Sequence, residues 1–212
     1  PPLEALTDYQ PKLPLRIYTA DGALIGEFGE ERRAFIAIDK VPRYMKQAII
    51  AAEDERFYTH GGVDTLGILR AAGSNLLSGG AKEGASTITM QVARNFFLSP
   101  EKTYTRKIKE VLLAFKIERE LSKQQILELY FNKIFLGHRS YGFAAAAQTY
   151  YGKNLQQLVL PEMAMLAGLP KAPSRDNPLT NPENATERRN TILKQMLNLN
   201  FIDEAAYAEA VN

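Results

Sequence analysis

From Val41 to the end of the chain, apolar residues recur at three- and four-residue spacing, and between the recurrences stand cap and breaker residues. Val41-Pro42 opens a segment in which Met45, Ala48, Ile49 and Ala52 share one face and deliver Glu53 and Asp54 at its last turns. A second helix is predicted from Asp64 to Leu77, and a third from Ser86, as N-cap, to about Phe97 before Pro100. The helix from Thr103 to Leu121 carries two stripes, Ile108/Val111/Leu112/Phe115 and Leu113/Ile117/Leu121, a pattern that predicts little exposed surface. Ser122 with Gln125 reads as a capping box for the next helix, which carries Glu128, Tyr130 and Asn132. An alanine-rich helix ending near Gly152, a short helix opened by Pro161, a loop from Pro170 to Pro178, and helices near Glu183–Leu199 and Asp203–Val211 complete the chain. This punctuation predicts a mainly α fold.

Ahead of it, Leu15–Thr19 and Ala23–Phe28 flank Asp21-Gly22 and predict a hairpin or a pair of extended segments. Residues 1–40 thus read as a linker and 41–212 as one domain. A length of 212 residues, 45% of them hydrophobic, can bury a core of that size. The net charge of +2 argues against nucleic acid as a partner and makes any cationic function local. Without cysteine there is no disulfide framework and no thiolate metal site. No stretch approaches the roughly 18 apolar residues of a membrane span, and a start at Pro1 leads us to expect any anchor upstream. Ser78–Gly84, with three glycines and no apolar stripe, predicts a mobile loop able to gate a cleft.

Two acidic clusters carry the chemistry. Glu53-Asp54 is followed by Phe57, His60, Gly62 and Asp64, a spacing that suits a walled pocket. Arg106-Lys107 precedes Glu110 on one helix face. One glutamate among acids near a helix end, and another flanked by cations, is what acid/base work on an anionic substrate requires. Ser99-Pro100-Glu101-Lys102 matches a penicillin-reactive Ser-x-x-Lys, but the partner motifs Ser-Asp-Asn and Lys-Thr-Gly are absent, so it reads as a helix start. Phe96, Phe97 and Leu98 read equally as core or as an apolar patch dipping into lipid.

Five segments in order carry a specific resemblance: Glu53-Asp54-x-x-Phe57-x-x-His60-x-Gly62-x-Asp64, Gly84 to Gln91, Arg106-Lys107-x-x-Glu110, Ile126 to Asn132, and Arg139-x-Tyr141-Gly142. Together they resemble the motifs of glycosyltransferase family 51, the peptidoglycan glycosyltransferase domain of class A (bifunctional) penicillin-binding proteins. Lys171-Ala172-Pro173-Ser174 and Asn177-Pro178 are similar to the family's loop after the fifth motif. Met90 departs from the family's common glutamine, and Arg94 from its common lysine.

The resemblance implies a lysozyme-like helical domain with a large lobe and a smaller membrane-facing lobe, preceded by the hairpin or linker. It implies polymerisation of lipid II into β-1,4 glycan strands, with inversion at C1 and release of undecaprenyl pyrophosphate. By motif match Glu53 is the base, and Glu110 a second catalytic residue that orients cations or holds a divalent ion, Mg2+ or Mn2+. Asp54, Phe57, His60, Ser86, Thr87, Thr89, Gln91, Arg94, Asn95, Arg106, Lys107, Arg139, Lys171 and Ser174 are the implied substrate-binding residues, with His60 supporting Glu53. Glu128 and Asn132 read equally as braces or as contacts and stay outside the set. Implied partners are lipid II, the growing lipid-linked chain, the membrane surface, moenomycin-type phosphoglycolipids and a transpeptidase domain beyond Asn212. The implied location is the outer face of the bacterial inner membrane. A glycan hydrolase or lytic transglycosylase is the alternative enzyme class, and a non-catalytic helical binding module the alternative outside enzymes.

Overall fold

Cap chemistry and apolar spacing set the helix limits in the computed structural model, which describes residues 2–10, 15–29, 31–69, 86–98 and 103–212. The helices are α1 (Glu4–Thr7), α2 (Arg43–Glu53), α3 (described over 65–69), α4 (Ile88–Phe97), α5 (Tyr104–Glu120), α6 (Lys123–Lys133), α7 (Phe143–Tyr151), α8 (Leu160–Ala167), α9 (Pro182–Asn198) and α10 (Glu204–Val211). The fold is mainly α, as the punctuation predicts. β1 (Leu15–Tyr18) and β2 (Leu24–Phe28) form the expected antiparallel hairpin, and β3 (Arg32–Arg33) pairs in parallel with β4 (Ser140–Tyr141). The Ser78–Gly84 loop, the Ser99–Lys102 tetrapeptide and the far end of the second helix lie outside the described residues.

Two compact units divide the chain, one of Pro1–Thr7 with Glu53–Tyr130, the other of Asp8–Ala52 with Phe131–Asn212. In the first, α4 packs on α5 around Phe57, Ile88, Met90, Val92, Leu113, Ala114, Ile117, Ile126 and Leu127. Gly62 has φ +99, and a Cβ there would lie 3.0 Å from the Ala114 backbone, so the chain lies against α5 only because the residue is glycine. In the second unit α8 packs on α9 and α9 on α10, and Met45, Ala48, Ile49, Phe131, Leu136, Phe143, Leu166 and Leu193 are buried. There Asn132 settles which of its two readings holds. Its Oδ1 accepts from the Ile36 N–H at 2.8 Å and its Nδ2 donates to the Ile36 carbonyl at 2.8 Å, so it braces the fold.

One expectation about α5 fails. Leu113 and Ile117 are buried, but Ile108, Leu112 and Phe115 are 62%, 64% and 46% exposed. The apolar residues cover two faces of the helix, and only one of them has a partner among the described residues.

Candidate active site

Glu53 ends α2 half-buried, and Gln91 Nε2 donates to its Oε2 at 2.9 Å. That bond holds one oxygen of the carboxylate while the residue keeps part of its surface. Asp54, next in the chain, is buried. His60 Nε2 donates to its carboxylate at 2.8 Å, and the Ile88 N–H donates to it at 2.9 Å. The Gly62 N–H donates to His60 Nδ1 at 3.0 Å, an arrangement that assigns the imidazole proton to Nε2. Asp54 therefore satisfies an otherwise orphaned N–H in the first turn of α4 and ties that turn to the end of α2.

The start of α4 falls one residue later than the sequence suggests. Thr87 is the N-cap: its hydroxyl accepts from the Met90 N–H at 3.1 Å and donates to the Gly62 carbonyl at 2.6 Å. Ser86, freed from capping, accepts from Lys107 Nζ at 2.5 Å. Met90 is packed in the core.

Glu110 is the anchor of a cation set. Its carboxylate meets Arg106 Nε and Lys107 Nζ, each at 3.2 Å, and Arg94 at 3.8 Å. The Glu110 side chain has no exposure, whereas those of Lys107 and Arg94 keep 43% and 35%. Glu110, expected to act in catalysis or to orient cations, is here a fully buried carboxylate that fixes the positions of the three cations around it. Among the described residues no group of three or more His, Cys, Asp or Glu side chains is placed to hold a metal ion. A divalent cation at Glu110 would have to displace three positive side chains, so these residues do not fit one there.

Several of the expected contact residues are buried and bonded within the framework. Phe57 has no exposed surface, with Lys123 Nζ 4.6 Å from its ring centroid. Thr89 is equally buried and donates to Glu118 Oε1 at 2.6 Å. Lys123 donates to the same carboxylate oxygen at 2.8 Å and to the His60 carbonyl at 2.7 Å. Asp54, His60 and Thr87 are likewise buried within this lattice. Asn95 remains exposed, its Nδ2 donating to the Gln91 carbonyl at 2.7 Å.

Tyr130 was not among the expected site residues. It is fully buried on α6, and burial, then the charges of Glu53 and Asp54, push its phenol well above its ordinary pKa, with Arg94 pulling the other way. A neutral phenol therefore sits within the field of the site's carboxylates. Its place in the Ile126–Asn132 motif was the only available signal, and it did not separate Tyr130 from a core aromatic.

Arg139, Lys171 and Ser174 belong to the second unit, where all three are exposed. Arg139 sits on a turn and its guanidinium donates to the Gly29 carbonyl. Lys171 closes a single 3-10 turn, Leu169–Lys171.

The profile described as Transglycosylase matches residues 21–197. Penicillin-binding protein 1A of Neisseria gonorrhoeae is 58% identical over 212 residues, all of this chain and 27% of that protein. Its counterpart in Pseudomonas aeruginosa is 56% identical over 211 residues, again all of this chain and 26% of the relative. The crystal structure of penicillin-binding protein 1A from Haemophilus influenzae is similar with a TM-score of 0.55 and 35% identity, covering 96% of this chain and 21% of that one. The chain thus spans about a quarter of the relatives it matches, and over that span it belongs to the transglycosylase family, as a glycosyltransferase domain of the kind carried by class A penicillin-binding proteins.

Proposed function

We propose that this domain polymerises lipid II into β-1,4-linked glycan strands at the outer face of a bacterial inner membrane, within a longer protein that also carries a transpeptidase domain. The observation that carries the reading is the pairing, in one unit, of an oriented, part-exposed carboxylate with a cation set anchored on a buried one. Glu53 takes the proton from the acceptor sugar 4-hydroxyl as that oxygen attacks C1 of the lipid-linked donor. Attack from the face opposite the α-linked pyrophosphate inverts C1 and needs no covalent enzyme intermediate.

Lys107 and Arg94, held by Glu110 yet open to solvent, offset the charge that develops on the departing pyrophosphate. Ser86 and Asn95 supply hydrogen bonds to sugar or phosphate oxygens, and the second unit, taken by itself, offers Ser174, Lys171 and Arg139 to the pyrophosphate-bearing substrate. A cation set of this kind favours polymerisation over glycan hydrolysis, because a neutral glycosidic bond releases no pyrophosphate. Phosphoglycolipids of the moenomycin type, which combine a phosphate, sugars and a lipid, suit the same groups.

The test is conversion of labelled lipid II by the purified domain in detergent. Wild type is expected to give lysozyme-sensitive polymer, and Glu53→Gln to lose about 10²-fold or more of turnover while still binding substrate. Near wild-type turnover in that variant, or release of a soluble disaccharide in place of polymer, overturns the reading.

A further inference from the structure

We propose that Tyr150 and Asn177 are positioning residues that hold the Arg139 turn and the Lys171–Ser174 loop together as one ligand-binding face of the second unit. The inference rests on the reading above, in which Arg139, Lys171 and Ser174 touch the pyrophosphate-bearing substrate.

The turn needs holding. Gly137, His138 and Arg139 run with φ of 83°, 43° and 62°, three consecutive residues in the left-handed region. Glycine takes this conformation freely, whereas the two side chains that follow take it at a cost that surrounding contacts must offset. Both are exposed, so their own side chains bury little apolar surface to offset it. The Ser140 N–H donates to the Gly137 carbonyl at 2.8 Å, the Leu136 N–H to the Ser140 carbonyl at 2.9 Å, and the Arg32 N–H to the Arg139 carbonyl at 2.8 Å. These bonds close the turn but do not reach the loop.

The link to the loop is made by two side chains. Tyr150, on α7, donates its hydroxyl proton to the Leu136 carbonyl at 2.6 Å. Asn177 Nδ2 donates to that same hydroxyl at 2.8 Å and to the Pro173 carbonyl at 2.9 Å, while its Oδ1 accepts from the Leu179 N–H at 3.0 Å. A hydroxyl has one proton, so the amide's donation fixes the phenol's direction, and one amide group spans both segments. Burial raises the Tyr150 pKa against the pull of the Asn177 hydrogen bond, which keeps the phenol a donor.

The packing agrees with the bonding. A Cβ on Gly137 would lie 2.7 Å from the Tyr150 hydroxyl, 2.8 Å from Asn177 Nδ2 and 2.9 Å from the Pro173 carbonyl. The three groups therefore converge on the bare α-carbon of the turn. Pro173 stands between Lys171 and Ser174, and Leu136 three residues before Arg139. Asn177 is itself 2% exposed, so it acts through the segments it joins.

The experiment is a double-mutant cycle on the purified domain. Binding of a short-chain lipid pyrophosphate disaccharide, KM, kcat and Tm are measured for Tyr150→Phe, for Arg139→Ala with Lys171→Ala, and for all three changes together. Tyr150→Phe is expected to weaken binding and raise KM about 3- to 10-fold with kcat within about twofold of wild type, and to have less than about a twofold effect once Arg139 and Lys171 are gone. A loss of the same size in both backgrounds shows a merely structural role and overturns the inference. So does unchanged binding in Tyr150→Phe when Arg139→Ala with Lys171→Ala binds weakly, and in that case the substrate reading stands. If Arg139→Ala with Lys171→Ala binds like wild type, the assignment of those residues falls and the inference with it. Should Tyr150→Phe not purify as a folded protein, Asn177→Ser, whose short hydroxyl cannot span Tyr150 and Pro173, goes through the same cycle under the same criteria.

Discussion

Glu110 has no exposed surface and three cations converge on it, so its removal leaves like charges facing one another around a desolvated gap. Glu110→Gln keeps the shape and removes the charge. We expect a loss of about 2 kcal/mol, below the full cost of breaking a buried pair because Lys107 and Arg94 can turn to water. Calorimetry checks the stability. Pyrophosphate-ligand binding checks the arrangement of the cations and is expected to weaken in the same variant. This cluster was legible in the sequence because Arg106, Lys107 and Glu110 are spaced to share a helix face. The full burial of Phe57 and Thr89 was not legible, since an aromatic or hydroxyl beside a motif has the same letter whether it is exposed or buried. Asp64 gives a residue-scale pH prediction. Burial would raise its pKa, but the Gly67 N–H at 2.8 Å and the Arg56 guanidinium outweigh that and hold it below the ordinary value. A depressed folded pKa stabilises fully above the unfolded aspartate value and is lost as pH falls through the folded one. The stability gap between wild type and Asp64→Asn is therefore expected to be widest near neutrality and to close in that acid window, as pH-dependent denaturant melts would record.

Among the elements, sequence rules worked best where the cap chemistry is local. Ser122 and Gln125 form the expected capping box, the Ser122 N–H donating to Gln125 Oε1 at 2.8 Å and the Gln125 N–H to Ser122 Oγ at 3.2 Å. At the start of α4 the same rules pointed to Ser86, and the cap is Thr87, whose hydroxyl also donates to the Gly62 carbonyl, 25 residues back, a bond that local rules do not see. A cap that also makes a tertiary bond costs more to lose. Thr87→Ala is expected to destabilise by about 1–2 kcal/mol, and Ser86→Ala much less, since its hydroxyl only receives Lys107. Denaturant unfolding of the two variants side by side gives the comparison. Equal losses would return the cap to Ser86.

For the whole molecule, the boundaries between the two units were not readable in the residues, because both main crossings, after Ala52 and after Tyr130, fall inside α2 and α6, where helical periodicity runs on unbroken. Which surface could face lipid is not legible in spacing for a related reason: apolar spacing marks a stripe but not what covers it. Phe96, Phe97 and Leu98 are half-buried, while Ile108, Leu112 and Phe115 on α5, with Leu66 and Leu69 on α3, stand open in the same unit. No helix among the described residues is long and apolar enough to cross a membrane. On the proposed function the substrate is anchored in a bilayer, and on that reading lipid is the occupant we expect for the α5 stripe. Replacing Ile108, Leu112 and Phe115 together with serine is expected to leave Tm within a few degrees of wild type, because the side chains are already in water. Binding to lipid vesicles is expected to fall about 10-fold or more, each side chain contributing up to roughly 1.5 kcal/mol when it enters the interface. Phe97→Ser with Leu98→Ser should do the reverse, costing stability and changing vesicle binding little. If the α5 variant binds vesicles as well as wild type, the stripe serves another surface and lipid is met elsewhere. If it loses vesicle binding but polymerises long-chain lipid II at the wild-type rate, the contact holds the domain at the bilayer without bringing substrate to Glu53.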